Sequence, residues 1–587
     1  MPIFGTQGND TINGTDADDE IYGIEGDDVI YGGAGEDAIY GGDGDDRLFG
    51  QSGRDTIYGG SGNDLLDSGA NGGGRLYGGL GDDTYYVYVW NEKFLIADSD
   101  RVFENENEGY DRIATTVSYR ASGYVEVIEA LNFSSTNSMY IHGTSTSNTI
   151  IGNAGYNELY GLAGDDILVG GGGADKMVGD GFDTVGNDTY YVDHPNDKVI
   201  EGSGGTGIDR IYTSVSYALD AYQEVEFIEA DDRSATSALS IQGNEFAQEI
   251  VGNAGSNVLR GGAGDDVIRG LAGDDVLVGD DGLDTLFGGS GDDTYYLDDN
   301  DVVVEAAGEG ADRIATSISY MLSVGSSIEV LEVVTSSSTD DVSLTGNELD
   351  NTIIGNAGDN ILRGGAGSDR LLGLNGNDLL IGGEIGSTDR DEMAGGAGDD
   401  TYYVFSSADR VVELPGEGLA DRVATRVNFA LEAGAEVERL EAGDSSATFA
   451  LDLSGSDSGN ILTGNAGSNV LNGRAGSDRL IGLGGSDTFV FSNALGTGNI
   501  DIIEDMASGV DKIALDSRIF TAFNPGTLDA ATFRHGAVAI GADDRILYDD
   551  ATGALYYDRD GAGGAAAVQF ATLTAHLALT ASDFSII

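Results

Sequence analysis

The sequence predicts an all-β chain: an elongated parallel β-roll, or β-solenoid, in about four super-repeats, closed by a small β-rich C-terminal domain. Three observations predict it. Aspartates recur every nine residues, at Asp10, Asp19, Asp28, Asp37, Asp46, Asp55 and Asp64. Large apolar residues keep the same step two positions later, at Ile12, Ile21, Ile30, Ile39, Leu48, Ile57 and Leu66. Glycines punctuate each period, as in the consecutive stretches "GGAGEDAIY" and "GGDGDDRLF".

A helix cannot carry this pattern. Nine residues make two and a half helical turns, so the apolar residues would alternate between opposite faces. Each interior glycine would also cost a helix about 1 kcal/mol. A flat coil satisfies it instead. A short strand, x-Ile-x, turns one apolar side chain inward, and the glycines then reverse the chain, because glycine accepts φ > 0 where other residues clash. Two such half-coils make one coil, and coils stack at the strand spacing of about 4.8 Å. The acids then stack on the turns and repel one another. A hard divalent cation with oxygen ligands relieves this, and Ca²⁺ suits a shell of carboxylates and carbonyls.

A longer period overlies the short one. "DTYYV" begins at Asp83, Asp188 and Asp400, "DTYYL" at Asp293 and "DTFVF" at Asp487, in steps of 105, 105, 107 and 87 residues. The first four are followed by an acid-rich turn and then by "DRIATTVSY", "DRIYTSVSY", "DRIATSISY" and "DRVATRVNF". Next come "VEVIEA", "VEFIEA", "IEVLEV" and "VERLEA", after which "GNAG" opens a new nonapeptide block. The chain is therefore expected to divide into a first nonapeptide block (1–90), four super-repeats (91–190, 191–296, 297–403 and 404–490) and a C-terminal domain (491–587). The apolar segments are expected to continue the solenoid with fewer ions. Alternation in "VEVIEA" reads as a half-buried strand, which leaves Glu126, Glu226, Glu329 and Glu438 facing solvent; the alternative is a second cation array.

On these residues the chain resembles the RTX, or hemolysin-type, calcium-binding proteins, whose signature is the nonapeptide GGxGxDxUx. The resemblance implies Ca²⁺ between turns on the same side of a parallel β-roll, held by motif aspartates and backbone carbonyls. Carried onto this sequence, the ligands would be Asp10, Asp19, Asp28, Asp37, Asp46, Asp55, Asp64 and Asp83 in the first block. They would continue with Asp166, Asp175 and Asp188, then Asp266, Asp275, Asp284 and Asp293, then Asp369, Asp378 and Asp400, and finally Asp478 and Asp487. That allows on the order of 20 calcium ions at most. Internal blocks open with asparagine where aspartate is expected: Asn148 and Asn157, then Asn257, then Asn351 and Asn360, then Asn460 and Asn469. These read as calcium-poor turns, since amides are neutral and stack by hydrogen bonding. Insertions at "GANGGGRLY" and "GGEIGSTDRDEMAGG" shift the register before Asp83 and Asp400. One tyrosine of each pair (Tyr85/Tyr86, Tyr190/Tyr191, Tyr295/Tyr296, Tyr402/Tyr403) is expected in the core; the alternative is a sugar-binding stripe.

After Asp487 the pattern gives way to "FVFSNALGTGNIDIIEDMASGVDKIALDSRIF" and an ending in "DFSII". This region resembles the C-terminal part of serralysin-like proteins, which implies export by the type I secretion machinery through an uncleaved C-terminal signal. "DRDG" at Asp558–Gly561 reads as a plain hairpin turn; the alternative is an extra calcium turn.

Composition narrows the function. Among 587 residues Asp+Glu number 102 against 28 Lys+Arg, a formal net charge of -74. No nucleic acid partner fits, because phosphate contact needs a basic surface. Nothing approaches a membrane span, and the N-terminus lacks the basic and apolar regions of a signal peptide. With no cysteine, neither disulfides nor thiolate metal sites are available. A His-Glu-x-x-His motif, a Gly-x-Ser-x-Gly elbow and a Walker loop are absent, and His142, His194, His535 and His576 stand alone in sequence. The expectation is a secreted, extracellular or cell-surface protein without a catalytic domain. It would fold on calcium and serve as a self-assembling surface-layer, filament or biofilm-matrix protein, with self-association or a cell-surface polysaccharide as partner. The alternative is a soluble carbohydrate- or surface-binding, adhesin-like module; a secreted enzyme comes third.

Overall fold

The computed structural model describes residues 1–70, 73–88, 100–180, 186–202, 207–298 and 301–587. Two positions of the "GANGGG" insertion, and the expected boundary between residues 90 and 91, lie outside them. The chain divides into two compact units, Met1–Val304 and Glu305–Ile587.

The first unit is a parallel β-solenoid. Successive short strands alternate between two walls, and each pairs in parallel with the strand one full coil later. Ile3 lies opposite Ile21, Ile12 opposite Ile30, and Ile21 opposite Ile39, an eighteen-residue register that equals two nonapeptides. One wall runs through Glu20–Glu25, Ala38–Asp43, Thr56–Ser61 and Arg75–Leu80, the other through Val29–Ala34, Arg47–Ser52 and Leu65–Asp67. The glycine turns are obligatory. Gly42 sits at φ +125°, and a Cβ there would come within 2.8 Å of the Ile24 carbonyl carbon in the preceding coil.

The core is a single file. Ile21, Ile30, Ile39, Leu48, Ile57, Leu66 and Leu76 are all fully buried, one per half-coil. Outside the first of these walls, Phe4, Tyr22, Tyr40, Tyr58, Tyr77 and Phe103 stack face to face with centroids 4.6–5.1 Å apart. The apolar segments continue the solenoid, as the alternation predicts. Thr84–Val87 pairs with Arg112–Thr115, which pairs with Val127–Ala130, which pairs with Thr149–Ile151. The tyrosine pairs divide as expected: Tyr85, Tyr190, Tyr295 and Tyr402 are fully buried and enter the core file.

The second unit repeats this architecture, with Arg370–Asn375 on Glu392–Ala397 and Leu379–Ile381 on Thr401–Val404. Its C-terminal part closes both walls. Val568–Thr572 adds in parallel to Asp501–Ile503 and then pairs antiparallel with Ala554–Tyr557. Phe584–Ile586 adds to Lys512–Leu515 on the other wall and takes Gly526–Thr527 antiparallel. Phe491, Phe520, Tyr557 and Phe570 pack edge to face over the end of the core file. The antiparallel strands thus cover edges that parallel coils would leave open. Asp558 begins the connection of this antiparallel hairpin, with Gly561 at φ +68°.

Candidate metal centre

Each motif aspartate precedes its core residue by two positions, at the end of a glycine turn. That places its carboxyl against the preceding coil. One oxygen is used to hold the stack: Asp28 Oδ1 accepts the Asp10 N–H at 2.7 Å, Asp46 Oδ1 the Asp28 N–H at 2.8 Å, and Asp64 Oδ1 the Asp46 N–H at 2.8 Å. A second ladder runs half a coil away, through Asp19, Asp37 and Asp55. Asp83 and Asp400 are in register despite the insertions, accepting from Asp64 and Asp378 at 2.7 Å each.

The other oxygen has no partner. Oδ2 is buried and unbonded in Asp28, Asp37, Asp46, Asp55, Asp64 and Asp83, in Asp166, Asp175 and Asp188, and in Asp266, Asp275 and Asp284. The same holds in Asp369, Asp378, Asp400 and Asp478. Asp293 and Asp487 occupy rungs in the same way, accepting the N–H groups of Asp275 and Asn469. Carbonyls face this oxygen. A Cβ on Gly41 would collide with Asp46 Oδ2 and stand 2.6 Å from the Gly59 carbonyl oxygen. The missing side chain therefore leaves a cradle in which only acceptors converge.

Acceptors without donors are costly to bury. Burial pushes the Asp64 and Asp166 carboxyls up to about 8, and those of Asp46, Asp188 and Asp400 to about 7, with neighbouring carboxylates adding and backbone N–H groups opposing. A hard cation resolves both problems, since it accepts the free carboxylate oxygens and carbonyls together. The residues present fit Ca²⁺. Asp10 and Asp19 differ: the hydroxyls of Thr6 and Thr15 donate to their Oδ2 atoms at 2.8 and 2.7 Å, as do the backbone N–H groups of the same residues. These two close the first coils rather than offering an unpaired oxygen.

The ladders extend beyond the nonapeptides. Asp100, Asp111, Asp197, Asp209, Asp391, Asp409, Asp421, Asp501 and Asp511 take rungs through the same N–H to Oδ1 bond. The local signal for all nine is Asp-x-apolar, as in "DRI", "DKV", "DRV" and "DII", where Ile502 is exposed and Ile503 enters the core. Glu126, Glu226, Glu329 and Glu438 do not simply face solvent. Each accepts the N–H of the preceding rung, Asp111, Asp209, Asp312 or Asp421, at 2.6–2.7 Å. Each glutamate stands just before its strand, so it takes the ladder position while the following residues alternate. The second glutamate of all four of these segments pairs laterally with an arginine: Glu129 with Arg112, Glu229 with Arg210, Glu332 with Arg313 and Glu441 with Arg422.

The asparagine rungs are of two kinds. Asn148, Asn351 and Asn460 accept a local N–H at Oδ1 and donate Nδ2 to the carbonyls of Val125, Ile328 and Val437. In the third block Gln248 fills this place. Asn157, Asn257, Asn360 and Asn469 instead turn Nδ2 into the cradle. For Asn157 it donates to the carbonyls of Asn153, Gly155 and Gly170 at 3.0, 2.7 and 3.1 Å, and to Asp175 Oδ1 at 2.9 Å.

The family model of the RTX calcium-binding nonapeptide repeat matches residues 4–39, 40–74, 142–177, 242–277, 270–303, 345–380, 385–404 and 454–489. These stretches carry most of the glycine cradles, those at Gly78 and Gly179, for example, falling just beyond them, and the matches stop short of the antiparallel closure. No curated protein matches the chain.

Proposed function

We propose that this RTX calcium-binding repeat protein is an extracellular structural protein. It leaves the cell unfolded, folds when calcium fills its turns, and assembles with its own copies into a surface layer, filament or biofilm matrix. The observation that carries the reading is the double row of buried aspartate Oδ2 atoms without a partner. Calcium, when bound, supplies the positive charge these acceptors share. The chain's own residues do the positioning: each Oδ1 is fixed by the N–H of an earlier coil, so its partner oxygen is already aimed into the cradle.

Where calcium is scarce, a formal net charge of -74 and unpaired acids hold the coils apart, which suits passage through a narrow type I export channel. Outside, binding to the folded state alone stabilises it by mass action, and many weak sites add up. Among the described residues no helix is long and apolar enough to cross a membrane. The reading includes no catalytic step.

The binding-module reading has one observation in its favour. A cavity of about 490 Å³ in the first unit is lined by Tyr160, Ile200, Glu201, Tyr222 and Gln223 among others, aromatic rings beside polar groups. The long aromatic stack argues the other way. Its ring faces are spent on one another, and a sugar needs a free face.

Light scattering during a calcium titration of EDTA-stripped protein separates the two. Assembly predicts mass rising far beyond 60.6 kDa as the chain folds. A chain that folds but stays monomeric would overturn assembly and leave the binding module. A chain that neither binds calcium nor folds with it would overturn both.

A further inference from the structure

We infer that the chain carries a second kind of cation site, where a nonapeptide block gives way to an apolar segment, in which a glutamate and a tyrosine hydroxyl join two ladder aspartates around one hard cation. The inference rests on the calcium-folding reading above and adds to it a site of different composition.

The first junction holds Asp83, Glu104 and Asp111, and one carboxylate oxygen from each lies within 4.8 Å of the others. The three residues are 1%, 5% and 0% exposed. Asp83 Oδ2, Asp111 Oδ2, both oxygens of Glu104 and the Tyr85 hydroxyl are all buried without a hydrogen-bond partner. A Cβ on Gly78 would collide with both Asp83 Oδ2 and the Tyr85 hydroxyl, so these two share one cradle. The elements that bring them together are distinct. Asp83 and Asp111 precede Thr84–Val87 and Arg112–Thr115, neighbours on one wall, whereas Glu104 follows Arg101–Phe103 on the other. A glutamate is long enough to reach across; an aspartate rung uses only its own wall.

The arrangement recurs. In the second unit Asp400, Glu413 and Asp421 meet in the same way, and Asp400 Oδ2, Glu413 Oε2 and Asp421 Oδ2 are buried without a partner. There the Tyr402 hydroxyl accepts the Gly395 N–H at 2.7 Å and donates to Glu413. At the second junction of the first unit the cluster is Asp188, Glu201 and Asp180, which ends the strand Lys176–Asp180 and stands in for the second rung, and the Tyr190 hydroxyl again donates to the glutamate. The sequence marks each glutamate two residues after a core valine: Val102, Val199 and Val411.

The donor set defines the ligand. Three carboxylates and a phenol, all oxygen and all out of water, select a hard cation. The carboxylates overbalance a divalent ion and match a trivalent one. Calcium is the divalent occupant, it fills these sites before the nonapeptide turns, and lanthanides bind them tighter still. One ion here ligates side chains from both walls, so it fixes the coil before the weaker turns fill.

The test is a calcium titration of the full chain against a chromophoric chelator, for wild type, E104Q, E413Q and D46N. Each glutamate variant is expected to remove one ion from the tight phase, weakening it about tenfold or more, while D46N shortens only the weak phase. Tight binding intact in both glutamate variants, or lost in D46N, overturns the inference while leaving calcium-driven folding in place. No calcium bound by wild type overturns the calcium reading itself. Should a glutamate variant fail to fold, Y85F and Y402F keep the core ring. Both are then expected to lower tyrosine-sensitised terbium emission at a few ions per chain; unchanged emission overturns the inference.

Discussion

Asp46 and Asn157 occupy the same kind of place in different blocks, and they solve its problem in opposite ways. Both are buried, both end a glycine turn, and both precede a core leucine by two residues, Leu48 and Leu159. Asp46 turns an unpaired oxygen toward a carbonyl-lined cradle. Asn157 puts an amide nitrogen there and bonds the carbonyls itself. A change of one atom, O to NH₂, replaces the unpaired acceptor in the cradle with a donor that bonds its carbonyls, and leaves only the amide Oδ1 buried without a partner. Calcium dependence is thus set rung by rung, and the asparagine coils that open each internal block give the first aspartate rungs a finished surface on which to stack.

The largest effect expected from this contrast is loss of the fold on removing calcium. At pH 8 in EDTA, circular dichroism should lose its β signal, and a complete β spectrum there would break the contrast. Protons should then partly replace the ion. Burial holds Asp64 at about 8 and Asp46 at about 7, against an ordinary value of 3.8. A carboxyl raised in this way stabilises the fold fully below the ordinary value and loses that contribution as pH rises through the folded one. The EDTA-stripped chain should therefore regain β structure as pH falls from about 8 toward 5, and an unchanged spectrum would show that the rungs are not the reason for unfolding.

Truncating the single-file core comes next. L48A and L159A should each cost about 2–5 kcal/mol in saturating calcium, measured by denaturant titration. Both kinds of rung hang on the same file, so a large inequality between the two would show that they are packed differently. Exchanging the rungs themselves is subtler. N157D should destabilise the calcium-free chain by about 1–3 kcal/mol, through lost donors and a buried charge, and should recover at millimolar calcium with a steeper calcium dependence. D46N should do the reverse, folding at lower calcium with one ion fewer. The smallest effect is expected outside the walls, where Y40L removes one ring from the aromatic stack at about 0.5–1.5 kcal/mol, with no change in calcium midpoint.

The nonapeptide blocks were legible because every requirement is local: one core residue, one acid two positions before it, and glycines that set the turn. The ladder beyond them was not. Asp83 and Asp111 are consecutive rungs 28 residues apart, and Asp166 and Asp188 are 22 apart. The intervening loops lengthen while the acid and its core residue stay together. A fixed nine-residue step cannot follow such loops, although the pair Asp-x-apolar can. Glu126 was misread for a related reason. Alternation in "VEVIEA" treats all six residues as one strand, whereas the strand begins at Val127 and Glu126 still belongs to the turn. The junction glutamates lie outside the nine-residue step and are marked only by a core valine two positions before them, since each belongs to one wall and acts on the other.

The two-wall construction has a consequence of parity. Nine added residues send everything downstream to the opposite wall, whereas eighteen leave it where it was. The "DTYYV" and "DTYYL" strands of the first unit illustrate this. Thr84–Val87 and Thr189–Val192 lie on the same sheet, but Thr294–Leu297, after an identical step of 105 residues, lies on the sheet that carries Val276–Asp281. Even and odd numbers of half-coils fit into the same length because loops absorb the remainder. Anything that travels along one side of this unit would meet the first two of these strands and find the third turned away.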